Sequence, residues 1–92
     1  MSLTAEKTVG IVNRLGLHAR AAAKLVTLAA KYRSEIKVAK GDKTVSGKSI
    51  MGVMMLAAAQ GSIITLSASG DDAVEALEAL AALIANRFDE EA

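Results

Sequence analysis

Residues 63–85, IITLSASGDDAVEALEALAALIA, change their hydrophobic period at Gly70. Before this glycine, apolar and polar residues alternate, which is typical of a half-buried β-strand. The apolar face of that strand consists of Ile64, Leu66 and Ala68. After the glycine, apolar residues recur at helical spacing, at Ala73, Ala76, Leu77, Leu80, Leu83 and Ile84. A strand and a helix joined by a turn bury their apolar faces together, so this stretch predicts a sheet covered by helices.

Three further strands are predicted upstream of this stretch. Residues 8–12 and 34–40 alternate in polarity, and residues 43–46 follow Gly41 and Asp42, which suit a two-residue hairpin turn. The sequence GDKTVSGKS in this region resembles a phosphate-binding P-loop, but five residues rather than four separate its glycines. We therefore interpret it as part of the hairpin and not as a nucleotide site.

Two more helices are predicted between these strands. Apolar residues at helical spacing indicate a helix over residues 19–32. A second helix is expected after Ser49, whose hydroxyl can cap it, and is expected to run to about Ala59 and end at Gly61. The resulting order, β-α-β-β-α-β-α, predicts an α+β fold with helices on one face of an antiparallel sheet.

Both ends of the last helix carry acidic residues. Asp72 and Glu75 fit a D-x-x-E variant of the capping box, so we expect the helix to begin there. After the helix, residues 89–91 form a short acidic tail that we expect to be frayed.

The composition limits the function classes. With 92 residues, of which 52% are hydrophobic, the chain can bury a core, and we expect one domain over residues 1–92. The absence of cysteine excludes disulfides and thiolate metal sites and suits the cytoplasm. A net charge of +1, with one tyrosine and one phenylalanine, argues against nucleic-acid binding. No apolar run is long enough for membrane insertion, and the first residues carry no signal-peptide pattern.

The first predicted helix begins next to the only histidine of the chain, His18. A lone histidine is more often a surface or capping residue, but three neighbouring features favour a reactive one. Gly16 permits close approach of the backbone, the helix start offers free N–H groups, and Arg20 can bind phosphate oxygens. The same positive field keeps the ring neutral and nucleophilic, and it stabilises a phosphoryl group once it is bound. We therefore predict phosphoryl transfer on the imidazole, with no metal and no cofactor.

The second predicted helix combines a modifiable cap with an apolar surface. A phosphate on Ser49 would add a charge of about −2 next to that surface. The helix is apolar nearly all round, through Ile50, Met51, Val53, Met54, Met55 and Leu56. A wholly buried helix is the alternative, but in so short a chain we favour an exposed, methionine-rich docking surface.

Three segments resemble the HPr family, the histidine phosphocarriers of the bacterial phosphotransferase system. They are GLHARAAAKLV at 16–26, KSIMGVMML at 48–56 and ITLSASG at 64–70, in the family's order and spacing. The resemblance implies an open-faced β-sandwich in which three helices cover one face of a four-stranded antiparallel sheet. It also implies a monomeric carrier, rather than a stand-alone catalyst, that takes a phosphoryl group from enzyme I and passes it to enzyme IIA domains.

The resemblance also assigns roles to individual residues. His18 looks like the phosphoacceptor, through Nδ1, and Arg20 like the arginine of the phosphate site, with Gly16 and Ala19 as the backbone around it. Ser49 matches the serine that an ATP-dependent HPr kinase phosphorylates in lineages that possess one. The implied partner-docking residues are Lys24, Ile50, Met51 and Met54.

Ala21 departs from the family pattern, which usually reads H-A-R-P. Proline would fix φ and remove one N–H from the first helical turn, so alanine leaves an additional donor there. Variants with alanine resemble members of proteobacteria-like lineages, in which regulatory phosphotransfer is common, so sugar uptake and regulation both remain open. An alternative function is a regulatory binding protein switched by phosphorylation of Ser49. The element order also occurs in RNA-binding folds, but the strands here lack aromatic residues.

Overall fold

The structure is a computed structural model that describes residues 3–92. Within this range the chain forms four strands, three α-helices and one 3₁₀ turn. In chain order they are β1 (Thr4–Gly10), α1 (Ala19–Ala29), β2 (Glu35–Lys40), β3 (Lys43–Ser46), α2 (Ile50–Met55), β4 (Ile63–Ser69), α3 (Ala73–Ala85) and the 3₁₀ turn Arg87–Asp89. This order confirms the predicted α+β fold.

The four strands form one antiparallel sheet in the order β1-β4-β2-β3. Strand β4 lies inside the sheet and pairs with all seven residues of β1 on one side and with β2 on the other. Strands β2 and β3 form the predicted hairpin, in which Lys40 pairs with Lys43. Gly41 has a φ of +60° in the two-residue turn, a conformation that glycine adopts without strain.

One face of the sheet is apolar and forms the core with the helices. The buried residues of β2 and β4 are Ile36, Val38, Ile64, Leu66 and Ala68, which confirms the predicted inward face of β4. Helix α1 buries Ala21, Ala22, Leu25 and Ala29, and α3 buries Ala73, Ala76, Leu77, Leu80, Ala81 and Ile84. Helix α3 packs on β1 and β4, while α1 packs on α2 and α3. The many buried alanines allow these layers to approach closely.

Strand β1 is present, but the predicted bounds of 8–12 were wrong, because the strand begins four residues earlier and ends two residues earlier, at Gly10. The strand begins at Thr4 because it pairs with the whole of β4. Lys7 lies opposite Leu66, on the face that Ala5 and Val9 also share through their partners in β4. A lysine on the inward face of an edge strand breaks the alternation from which a strand is recognised.

Helices α1 and α2 end three and four residues earlier than predicted, at Ala29 and Met55. At both ends the hydrogen bonds tighten to a spacing of three residues, as from the N–H of Ala57 to the carbonyl of Met54 at 3.1 Å. Gly61 does not end α2. It has a φ of +90° in the turn that precedes β4.

Asp72 begins α3 but does not form the predicted capping box, since its side chain makes no cap hydrogen bond. Its carboxylate instead accepts hydrogen bonds from the N–H groups of Arg33 (2.8 Å) and Ser34 (2.9 Å) and from the hydroxyl of Ser34 (2.5 Å). The bond from the Ser34 hydroxyl is the main reason why the pKa of Asp72 lies below its usual value. A contact between distant segments has replaced the local cap.

No helix in residues 3–92 is long and apolar enough to cross a membrane. In the same range, no group of three or more histidine, cysteine, aspartate or glutamate side chains is arranged to hold a metal ion.

Candidate functional site

His18 is the residue from which α1 begins. Its backbone is extended, with φ −72° and ψ 176°, and its carbonyl accepts a hydrogen bond from the N–H of Ala22 at 2.8 Å. The ring does not cap the helix, and 28% of the side chain is exposed. The amides of Ala19, Arg20 and Ala21 precede that first helical donor. The helix start therefore offers N–H groups and a partial positive charge close to an accessible imidazole.

A carboxylate from the other end of the chain holds this ring. Nε2 of His18 lies 2.5 Å from Oε2 of Glu90, whose side chain is only 16% exposed. The hydrogen bond from His18, followed by one from Asn13, lowers the pKa of Glu90 below its usual value. Because an ionised carboxylate can only accept, Nε2 is the donor of this hydrogen bond, and in the neutral form of the ring this leaves the lone pair on Nδ1.

The loop before His18 is fixed by Asn13 and Gly16. Asn13 is fully buried, and its Nδ2 donates to the carbonyl of Gly16 at 2.8 Å and to Oε1 of Glu90 at 3.1 Å. Gly16 has a φ of +67°, and a Cβ there would lie 2.4 Å from the carbonyl oxygen of Ala58. Only glycine can therefore occupy this position without moving the loop.

The acidic tail is ordered, so the expectation of a frayed end was wrong. Arg87, Phe88 and Asp89 all have left-handed backbone angles, with φ of 57°, 54° and 64°, which costs roughly 1–2 kcal/mol per residue. Complete burial of Phe88 offsets part of this strain, and Nζ of Lys24 donates to the carbonyl of Phe88 at 2.6 Å. The turn directs Glu90 back to His18.

Arg20 and Lys24 lie along a shallow groove of about 400 Å³ that α1 and Leu83 of α3 help to line. Arg20 is exposed two residues after His18, and Lys31 adds a third cation to the groove. Nζ of Lys24 lies 4.0 Å from Oδ2 of Asp89, in addition to its bond with the tail carbonyl. One side of the histidine helix is therefore strongly basic.

Ser49 begins α2, as predicted, and its Oγ accepts a hydrogen bond from the N–H of Gly52 at 3.0 Å. Val53 and Leu56 point into the core, but the opposite face of the helix does not, so α2 is not wholly buried. That other face is exposed at Ile50, Met51, Met54 and Met55. We call these four residues the α2 apolar surface.

Three residues of the site were missed in the sequence: Asn13, Phe88 and Glu90. Nothing local indicates that Asn13 and Glu90 meet across 77 positions of the chain. Phe88 was the available signal, because the only phenylalanine of a small protein is a strong candidate for the core. Its burial would have indicated that the tail folds back.

The chain is similar to known phosphocarriers over almost its whole length. A sequence model of a family described as "PTS HPr component phosphorylation site" matches residues 5–86. The phosphocarrier protein HPr of Cupriavidus necator is 54% identical over 85 residues, which cover 92% of this chain and 96% of that protein. The phosphocarrier protein NPr of Shewanella violacea is 47% identical over 85 residues, which cover 92% and 93% of the two chains.

Solved structures agree with these relatives. A crystal structure of HPr from Thermoanaerobacter tengcongensis superimposes with a TM-score of 0.92 at 50% identity and covers 96% of this chain and 99% of that one. A dimer of HPr from the same organism also matches, with a TM-score of 0.76 and coverage of 94% and 99%. The predicted open-faced sandwich is therefore confirmed. The chain belongs to the HPr family and is a phosphocarrier of the phosphotransferase system, whose members imply enzyme I and enzyme IIA as partners.

Proposed function

We propose that His18 is the residue that carries the phosphoryl group, through Nδ1. The observation that supports this most directly is the pairing of Nε2 with Glu90, since it leaves the lone pair of a neutral ring on Nδ1. The ring also lies at the start of α1, where free N–H groups favour an anion. A phosphoryl group on Nδ1 is thus formed in a field that already suits its charge.

Arg20, Gly16 and Ala19 complete the phosphate site in this proposal. The guanidinium of Arg20 binds phosphoryl oxygens, and the N–H groups of the first helical turn, including that of Ala19, face the same charge. Gly16 contributes by allowing the tight loop that presents His18 rather than by touching the phosphate.

Enzyme I and enzyme IIA dock in turn on the same side of the molecule, in this proposal. The α2 apolar surface supplies adaptable contacts through Ile50, Met51 and Met54, and Lys24 adds a positive charge from α1. Because the two partners use the carrier successively, we propose that residues 1–92 act as one monomeric domain in the cytoplasm. Light scattering at assay concentration checks the monomer, and a stable dimer would contradict it.

The decisive experiment is phosphorylation with enzyme I and radiolabelled phosphoenolpyruvate. The wild-type chain should acquire one acid-labile phosphoryl group, and His18→Ala should acquire none. Ser49→Ala is the matched control, because it removes the other proposed phosphorylation site and should leave labelling by enzyme I intact. Labelling of His18→Ala at the wild-type rate would refute the assignment.

A second candidate function is regulation at Ser49. The side chain is half-buried at the cap of α2 and directly precedes the α2 apolar surface, so a phosphate there would alter the docking of partners. Incubation with an HPr kinase and ATP should then label wild type but not Ser49→Ala. Ser49→Asp should bind enzyme I more weakly than wild type, and equal binding would argue against a switch.

A further inference from the structure

The carboxylate of Glu90 contacts two parts of the candidate site at once. It lies 2.5 Å from Nε2 of His18 and 3.1 Å from Nδ2 of Asn13. Glu90 also lies beyond residues 5–86, the part of the chain that the family model matches. We propose that Glu90 is a positioning residue for phosphoryl transfer, which keeps the proton on Nε2 of His18 and so presents Nδ1 to phosphorus. This inference rests on the proposed role of His18.

Contacts on both sides of Glu90 in the chain hold its carboxylate next to His18. Three successive left-handed residues, Arg87–Asp89, reverse the chain after α3, and such a run requires compensating contacts. Buried Phe88 and its carbonyl bond to Lys24 supply them on one side of the turn. On the other side, the oxygen of Ala92 accepts a hydrogen bond from the N–H of Arg14 at 3.2 Å. Glu90 is thus anchored both before and after its own position.

The pairing with Nε2 has a consequence for the acceptance of the phosphoryl group. Nδ1 donates its lone pair to phosphorus, the N–P bond forms, and the bond from phosphorus to the donor breaks with its electron pair leaving on the donor. The ring then carries phosphorus on Nδ1, a proton on Nε2 and one positive charge. Glu90 accepts the hydrogen bond from that Nε2–H and offsets the charge, as a carboxylate does for a catalytic imidazolium.

The same pairing assists the onward transfer. When the N–P bond breaks, its electron pair returns to Nδ1, and the ring departs as neutral imidazole only if Nε2 still holds its proton. Loss of that proton would force the ring to leave as an imidazolate anion, a much poorer leaving group. By retaining the proton, Glu90 keeps the phosphorylated carrier reactive toward its acceptor.

Several charged groups surround this pair and must be held constant in a test. The charge of Lys24 acts on the Glu90 carboxylate, Asp89 lies next to Lys24, and Arg20 lines the same groove of α1, while the contact from Asn13 is neutral. Variants at Glu90 leave all of them in place. Glu90→Gln keeps the size of the side chain and a hydrogen-bond acceptor but removes the charge, and Glu90→Ala removes both. Glu91→Gln is the matched control, because Glu91 is exposed and its substitution removes the same charge one residue later.

The experiment follows hydrolysis of the phosphorylated full chain as a function of pH, together with ¹⁵N and ¹H resonances of the His18 ring. In wild type and Glu91→Gln, we expect the Nε2–H proton to be protected from exchange with water. We also expect rapid hydrolysis of the phosphoryl group to persist to a higher pH than in the Glu90 variants. In Glu90→Gln and Glu90→Ala, the hydrolysis profile should move to lower pH by about one unit. Transfer to enzyme IIA above neutral pH should slow about tenfold.

The outcomes separate this inference from the proposed function. If wild type is phosphorylated on His18 but all four proteins share one hydrolysis profile and one transfer rate, the role of Glu90 is refuted alone. If wild type acquires no phosphoryl group on His18, the proposed function fails first. A structural effect of Glu90→Ala on the tail is recognised because Glu90→Gln, which keeps the side chain in place, would then retain the wild-type profile, and this too would refute the electrostatic role.

Discussion

Helices α1 and α2 both begin at a side chain for which we propose phosphorylation, but the two beginnings differ. At α2, the hydroxyl of Ser49 accepts a hydrogen bond from the N–H of Gly52 and so satisfies one free donor of the helix. At α1, His18 makes no such bond, and its ring is held by Glu90 instead. The first helix start is therefore left open for an anionic ligand, whereas the second is closed by its own side chain.

The two helix starts also depend on different contacts. The open start at α1 is maintained by contacts that lie outside the helix, namely the loop at Gly16 and the tail at Glu90. The closed start at α2 stabilises its own short helix and lies next to the α2 apolar surface. We therefore expect changes at the residues that support the start of α1 to affect phosphoryl transfer as well as folding, and changes at Ser49 to affect mainly folding and docking.

The largest effect is expected from Gly16→Ala, which breaks the support of the open start. The new Cβ would lie 2.4 Å from the carbonyl oxygen of Ala58 in a residue with φ +67°. We expect a loss of about 3 kcal/mol in the free energy of unfolding, measured with urea, and a slower acceptance of phosphoryl groups by His18.

Gly41→Ala is the matched control for this variant. Gly41 has a similar φ of +60°, but a Cβ there would meet nothing within 4 Å. Its replacement should cost about 1 kcal/mol from backbone strain alone and leave phosphorylation unchanged. Equal losses for the two variants would mean that the contact with Ala58 does not matter.

A smaller effect is expected at the closed start. Ser49→Ala removes the acceptor for the N–H of Gly52 and should lower the free energy of unfolding by about 1 kcal/mol, whereas Ser49→Gly should lower it by only a few tenths. Urea unfolding of both variants measures the difference. Equal losses for alanine and glycine would show that the cap is not the source of the effect.

The elements that sequence predicted well are those whose signals are local. The period of β4 and α3, the hairpin turn at Gly41 and the cap at Ser49 are each decided by residues a few positions apart, and the structure contains all of them. The helical spacing of apolar residues also placed His18 next to a helix start, and the family resemblance added its role. Its role as phosphoacceptor stays a prediction.

The features that sequence did not reveal depend on distant partners. From its neighbours in sequence alone, Asp72 is predicted to cap α3 with its side chain. In the structure its carboxylate instead accepts hydrogen bonds from the N–H of Arg33 and the hydroxyl of Ser34. Residues 89–91 look like a polar end because charge dominates their composition, while the burial of Phe88 decides their course. Local propensity cannot weigh a contact that forms only when the chain has folded.

The smallest effect is expected from Ala21→Pro, which restores the usual family residue at the open start. Ala21 precedes Ala22, whose N–H makes the helical bond to the carbonyl of His18, so proline at 21 removes a donor that the helix itself does not use. The fixed φ suits the first helical turn and restricts the unfolded chain. We expect the free energy of unfolding to rise by about 0.5 kcal/mol, as measured by urea unfolding.

A loss above about 2 kcal/mol in the Ala21→Pro variant would show that the fully buried position 21 cannot accommodate the proline ring or that the N–H of Ala21 is needed. Unchanged phosphorylation of His18 would show that the amides of Ala19 and Arg20 suffice for the phosphate, and a faster reaction would show that rigidity of the helix start limits it.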